Sequence, residues 1–136
     1  MIEAYSQNLT IATDEAIPFN AIALIKGDTA QHRGTTTFEL NRCGIYAVDF
    51  DIAGLPAAAG AFQVEMTKDG VAQPQAGIEI PAALTNVGIA AAKPTLVQVG
   101  RNNGCACCAS PVILQFFLRG VGLTNADPHI RITKLC

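Results

Sequence analysis

Residues 44–54, GIYAVDFDIAG, alternate the large apolar side chains of Tyr46, Val48, Phe50 and Ile52 with Ala47, Asp49 and Asp51. A two-residue period is the signature of a strand with one face buried, because successive side chains of an extended chain point to opposite sides. The same pattern continues downstream: Phe62, Val64 and Met66 alternate with Gln63, Glu65 and Thr67, and Lys68-Asp69-Gly70 then supplies an Asp-Gly hairpin turn. Upstream, 17–27 (IPFNAIALIKG) and 35–40 (TTTFEL) read as strands, with the polar stretch 27–34 (GDTAQHRG) as a loop bracketed by Gly27 and Gly34. Further on, 94–100 (PTLVQVG), 111–123 (PVILQFFLRGVGL) and 129–135 (HIRITKL) complete the set. The Ala-rich pieces 55–61 and 80–94 read as loops or a short helical turn. No window sustains an apolar helical face with caps. About eight to ten short strands in one small domain predict an all-β, two-sheet sandwich or barrel.

Composition narrows the function classes. The chain has 136 residues, of which 50% are apolar and 15% charged, so it can bury a core and is not a disordered segment. Nine basic residues against eleven acidic ones leave a formal charge of -2 with no Lys/Arg cluster, which argues against a nucleic-acid partner. No apolar run approaches the ~18 residues of a membrane span, and MIEAYSQNLT has neither the basic start nor the apolar run of a signal peptide. A charged fraction of 15% is low for a small monomer, whose surface usually carries about 25% or more. Part of this surface therefore expects a partner, and a second copy of the chain is the simplest one. In 112–118, Val112, Leu114, Phe116 and Leu118 fill one face while Ile113 and Phe117 stand on the other, so this strand wants cover on both sides.

The order of TFEL, GIYAVDFDI, FQVEMTKDGVAQPQA, TLVQV and NADPHIRITKL resembles the jelly-roll heads of the tumour necrosis factor and complement-type superfamily, in its bacterial and prophage branch. The similarity covers about residues 16 to 135, within a single jelly-roll domain over 1–136. It rests on Gly44 and Tyr46 of the Gly-x-Tyr strand, on Asp69-Gly70, and on Ala126, Ile130, Ile132, Lys134 and Leu135 of the last strand. No collagen-type repeat precedes the head, and the cysteine cluster departs from the family's loop. The resemblance implies a two-sheet jelly-roll sandwich that assembles as a homotrimer. It further implies that the last strand lies beside the Gly-x-Tyr strand and that the latter pairs with the penultimate strand, 111–120. All three would then share the sheet facing the threefold axis, with Ile113 and Phe117 at the trimer interface. The same order places Cys43 and Cys136 at one end of the sandwich, as a disulfide or as two free thiols.

Five cysteines, Cys43, Cys105, Cys107, Cys108 and Cys136, cannot all pair within one chain. Cys105, Cys107 and Cys108 fall in the loop before the penultimate strand, which is expected at the opposite end of the sandwich, near 54–60. Three thiols within four residues suit a soft metal, disulfides or inert thiols. Neither His32 nor His129 is placed by sequence to supply a fourth ligand. Cys105-x-x-Cys108 precedes a strand rather than opening a helix, which argues against thioredoxin-type chemistry. Asp49 and Asp51 share a strand face and suit a calcium site, acid/base work or a plain polar face. No phosphate loop, nucleophile elbow or His-Glu-x-x-His motif is present.

The resulting expectation is a non-enzyme without cofactors. It is a structural or adhesive trimer of a phage virion or bacterial surface, such as a fibre head, a decoration or a receptor-binding tip. Its partners would be its own copies, other structural proteins of the same particle, and a host-surface glycan or protein, in a virion or extracellular setting without membrane insertion. The alternatives are a carbohydrate- or protein-binding module and a Cys-cluster metal or redox protein.

Overall fold

A computed structural model describes residues 1–100 and 111–135. Their strands are β1 (Ile2–Tyr5), β2 (Leu9–Ile11), β3 (Ala21–Ile25), β4 (Ala30–Arg33), β5 (Thr37–Leu40), β6 (Gly44–Pro56), β7 (Gly60–Lys68), β8 (Val71–Ala72), β9 (Ile78–Ala83), β10 (Ile89–Val99), β11 (Val112–Gly120) and β12 (Leu123–Lys134). A short 3-10 turn at Pro74–Ala76 precedes β9. Two antiparallel sheets result. The first has the order β10-β6-β12-β1-β3, with β2 also on β12; the second has the order β4-β5-β11-β7-β8, with β9 also on β7.

The alternation in β6 holds: Tyr46, Val48, Phe50 and Ile52 are buried, while Asp51 is exposed on the other face. Antiparallel pairing sets Ile130 opposite Phe50 and Ile132 opposite Val48, so β12 turns its isoleucines the same way. From the second sheet, Leu114, Phe116 and Leu118 of β11 and Phe62, Val64 and Met66 of β7 point back at them. Phe50 and Phe116 stack across the gap, with centroids 4.6 Å apart. Phe19 meets Phe38 and Phe116 edge-on at 5.2 and 6.2 Å, the geometry that aromatic quadrupoles favour.

The hairpin between β7 and β8 turns on Asp69 and Gly70, both left-handed with φ of 51° and 81°, as a tight two-residue turn between twisted strands requires. Asp69 also anchors its neighbour strand, since its carboxylate accepts the Ile113 N–H at 2.8 Å. At the start of β6 the buried Tyr46 hydroxyl donates to the Arg42 carbonyl at 2.7 Å.

Three expectations are corrected. Residues 27–34 are not all loop: Ala30 is buried, and 30–33 pair with β5 as β4. Of the Ala-rich segment 80–94 only residues 84–88 are a loop, because β9 runs to Ala83 and β10 begins at Ile89 and pairs with β6 along its whole length. Finally, β11 does not pair with β6. It lies in the second sheet between β5 and β7, and the neighbour of β6 opposite β12 is β10. Strand β10 thus ends in the first sheet and β11 begins in the second.

Gly120 closes the β11–β12 connection at φ 76°, and a Cβ there would sit 2.0 Å from the Ala61 carbonyl oxygen. Gly120→Ala is expected to lower stability by about 2–4 kcal/mol through clash and backbone strain. Gly27 has the same φ with nothing within 4 Å, so Gly27→Ala is expected to cost only about 1 kcal/mol. Urea denaturation of the two variants checks the difference.

Candidate functional site

In the first sheet, the residues that face away from the core form cross-strand rows. One row runs Ala92, Asp51, His129, Tyr5 and Ala21; the next runs Pro94, Asp49, Arg131, Glu3 and Leu24. Leu96 stands opposite Ala47 one row further on. The centre of the face is ionic and its two margins are apolar. At the β3 margin Leu24 is 43% exposed on this face, while Ile22 and Ile25, opposite buried Ala4 and Ile2, are exposed at the same edge on the other side; at the β10 margin Leu96 is 62% exposed. A shallow depression of about 240 Å³ lies between Asp51, Ala53, Ala90 and Ala92, where small side chains leave the β10 side low.

The ionic centre is built by register. His129 Nε2 lies 2.8 Å from Glu3 Oε1 and its Nδ1 lies 3.1 Å from Asp51 Oδ2, while Arg131 donates to Asp49 at 3.4 Å. Partial burial works against the charged imidazole, but the hydrogen bond to Glu3, the charge of Asp51, the bond to Asp51 and the charge of Glu3 outweigh it and raise its pKa above 6.5. With the folded value above the unfolded one, the contribution of this cluster to stability is full below about pH 6.5. It is lost as pH rises through the raised value. Asp49 and Asp51 therefore serve ion pairs. Among the described residues no group of three or more His, Cys, Asp or Glu side chains is arranged to hold a metal.

The outer face of the second sheet is covered differently. Ile113 and Phe117 are half-buried there, on the sheet that does not contain β6 and β12. Along 116–118, β11 is flanked by the chain's own N-terminal segment: Ile17 donates to the Phe116 carbonyl at 2.7 Å and Leu118 donates to that of Glu15 at 3.0 Å. The Arg119 guanidinium lies 5.0 Å from the centroid of Phe117 and pairs with Asp14 at 2.9 Å and Glu65 at 3.2 Å. Hydrogen bonds to Asp14 and then Glu65 raise its pKa further. Much of the cover that Phe117 needs is thus intramolecular. The shared axis-facing sheet expected for Ile113 and Phe117 is corrected, because β11 belongs to the other layer. Beside Arg119, Gln63, Glu65, Gln73, Pro74 and Glu79 border an open cleft of about 290 Å³.

His32 is a structural histidine. Its ring stacks on Phe38 at 4.4 Å, and its nitrogens lie 3.0 and 2.8 Å from the carbonyls of Thr37 and Phe19. Cys43 is disulfide-bonded, whereas Cys105, Cys107, Cys108 and Cys136 lie outside the described residues. The strand ends on either side of 101–110 correct one placement: Val99 pairs with Gly44 and Val112 with Leu40. Both ends of that segment thus sit at the Cys43 end of the sandwich, not near 54–60. Sequence reading missed Glu3, Tyr5, Asp14 and Arg119 as partners; the alternation of buried Ile2 and Ala4 with Glu3 and Tyr5 was the available signal for β1. Among the described residues no helix is long and apolar enough to cross a membrane.

No protein-family model matches the sequence, and no curated protein matches it. Solved structures do. PRD1 vertex protein P5 is similar with a TM-score of 0.64 and 14% identity, over 99% of this chain and 96% of that one. Eiger TNF from S. frugiperda gives 0.67 and 11%, over 99% and 92%. Murine APRIL gives 0.61 and 7%, over 98% of each chain. Two six-stranded antiparallel sheets in this order, together with these likenesses, define a tumour necrosis factor-type jelly roll. That fold is shared by a protein named as a TNF and by a protein named for a vertex.

Arg119→Met keeps an apolar stem over Phe117 but removes both ion pairs and the cation–π contact. The expected loss is about 1 kcal/mol, measured by urea denaturation, with faster hydrogen exchange at the Ile17 and Leu118 amides.

Proposed function

We propose that this chain is a non-enzymatic structural or adhesive protein working as a homotrimer, in a phage virion or on a bacterial surface, as a fibre head, decoration or receptor-binding tip. The observation that carries the reading is the pair of exposed leucines on the two opposite edge strands of one sheet face, Leu24 on β3 and Leu96 on β10. When a β10 margin of one copy covers the β3 margin of the next, the contact is heterologous and repeats by rotation until a ring closes. Three subunits is the number implied by the family resemblance. The low charged fraction of 15% fits a surface partly covered by copies. A fold in common with a vertex protein supports the virion setting. Other structural proteins of the particle and a host-surface glycan or protein are the proposed outer partners.

The interface proposed here is the first sheet, not Ile113 and Phe117. Light scattering is expected to give three times the 14.2 kDa chain mass. Leu96→Asp is expected to weaken assembly by about 2 kcal/mol or more, as for a central apolar contact, while Ile113→Ser leaves the assembled mass unchanged. A monomer at every concentration overturns the reading.

We also propose that Cys43 is bonded to Cys136. The Leu135 N–H donates to the Ile45 carbonyl at 2.7 Å, which sets Leu135 beside the start of β6, and a disulfide asks for Cα atoms at most about 7 Å apart. Peptide mapping without reductant is expected to recover 43 joined to 136. Recovery of Cys43 joined to Cys105, Cys107 or Cys108 contradicts it.

A further inference from the structure

The structure assigns a role to the cluster at the centre of the first sheet: we propose that Glu3, His129 and Asp51 make subunit assembly proton-dependent, tight when His129 is protonated and loose when it is not. This rests on the assembly reading above.

Both ring nitrogens of His129 face carboxylate oxygens, at 2.8 and 3.1 Å. An ionised carboxylate only accepts hydrogen bonds, and a neutral imidazole carries a single N–H. Only the imidazolium satisfies both contacts. Loss of the proton turns one nitrogen lone pair against a carboxylate and takes the cluster from a net charge of -1 to -2.

The cation nearest the cluster on this face is Arg131, opposite Glu3 in register and ion-paired with Asp49. Strand β6 brings Asp49 and Asp51 to this face, and β1 brings Glu3 and the Tyr5 hydroxyl. Strand β12 itself adds Asp127, whose carboxylate accepts the Asn8 N–H at 2.9 Å, and Arg131, which is taken by Asp49. The neighbouring positions on β10 and β3 are Ala92, Pro94, Ala21 and Leu24, none of which titrates. Covering the face with a second copy removes these groups from water, and an unpaired buried charge is far costlier than a paired one. Assembly therefore takes up protons, and the raised imidazole pKa works in the same direction.

Subunit exchange between two differently labelled populations, followed by energy transfer, tests this. Exchange is expected to be about tenfold faster at about pH 8.5 than at about pH 6, the change corresponding to about one pKa unit. His129→Gln is expected to abolish the pH response, and the double variant Glu3→Gln with Asp51→Asn provides the same test should the first fold poorly. Assembled protein whose exchange ignores pH, or a His129→Gln variant that keeps the wild-type response, overturns the proposal while leaving the ring intact. A monomer at both pH values overturns the proposal together with the assembly reading.

Discussion

Phe50 of the first sheet and Phe116 of the second stack with their ring centroids 4.6 Å apart, and this contact across the two layers determines which side of every strand is inside. Because side chains alternate along an extended chain, one inward Phe50 commits Tyr46, Val48 and Ile52 inward and Ala47, Asp49 and Asp51 outward. Pairing transmits the choice sideways, to Ile130 and Ile132 on β12 and from there to Ile2 and Ala4 on β1. A register slip of one residue would expose the isoleucines and bury Asp49, Asp51 and His129.

The outward face follows from the same constraint. It is ionic where β6, β12 and β1 meet, because those strands carry Asp49, Asp51, His129, Arg131 and Glu3 at alternate positions. It is apolar at both edges, where β3 overhangs and where β10 carries alanine, proline and leucine. On the second sheet the outward face is instead tied down by the chain itself, through the N-terminal segment, Asp14 and Arg119 over Phe117. The two layers therefore differ in what they leave uncovered, and that asymmetry is the basis for placing the assembly surface on the first.

Much of the architecture was legible in the sequence where alternation was strict. Strand β6 and the β7–β8 hairpin were read from Tyr46 to Ile52 and from Asp69-Gly70, and the pairing of β12 with β6 came from the resemblance. The Ala-rich start of β10 was not legible, since alanine on both sides of a strand leaves no contrast between faces, and its strand state is set by its ladder with β6. Neither was the sheet to which β11 belongs: Ile113 and Phe117 signal a second covered face but not what covers it, and the answer depends on Ala16 and Asp14, remote in sequence, the latter held by Arg119 of β11 itself. The ionic cluster joins Glu3 to His129 across nearly the full chain, a contact that no local pattern encodes.

The most direct test of the assembly claim is a photo-reactive amino acid at position 96. Irradiation of the intact protein should join that position to the β1 and β3 side of a neighbour's first sheet, with covalent products of two and three chains and none larger. Cross-links confined to a single chain, or a ladder that continues past three, would contradict the account.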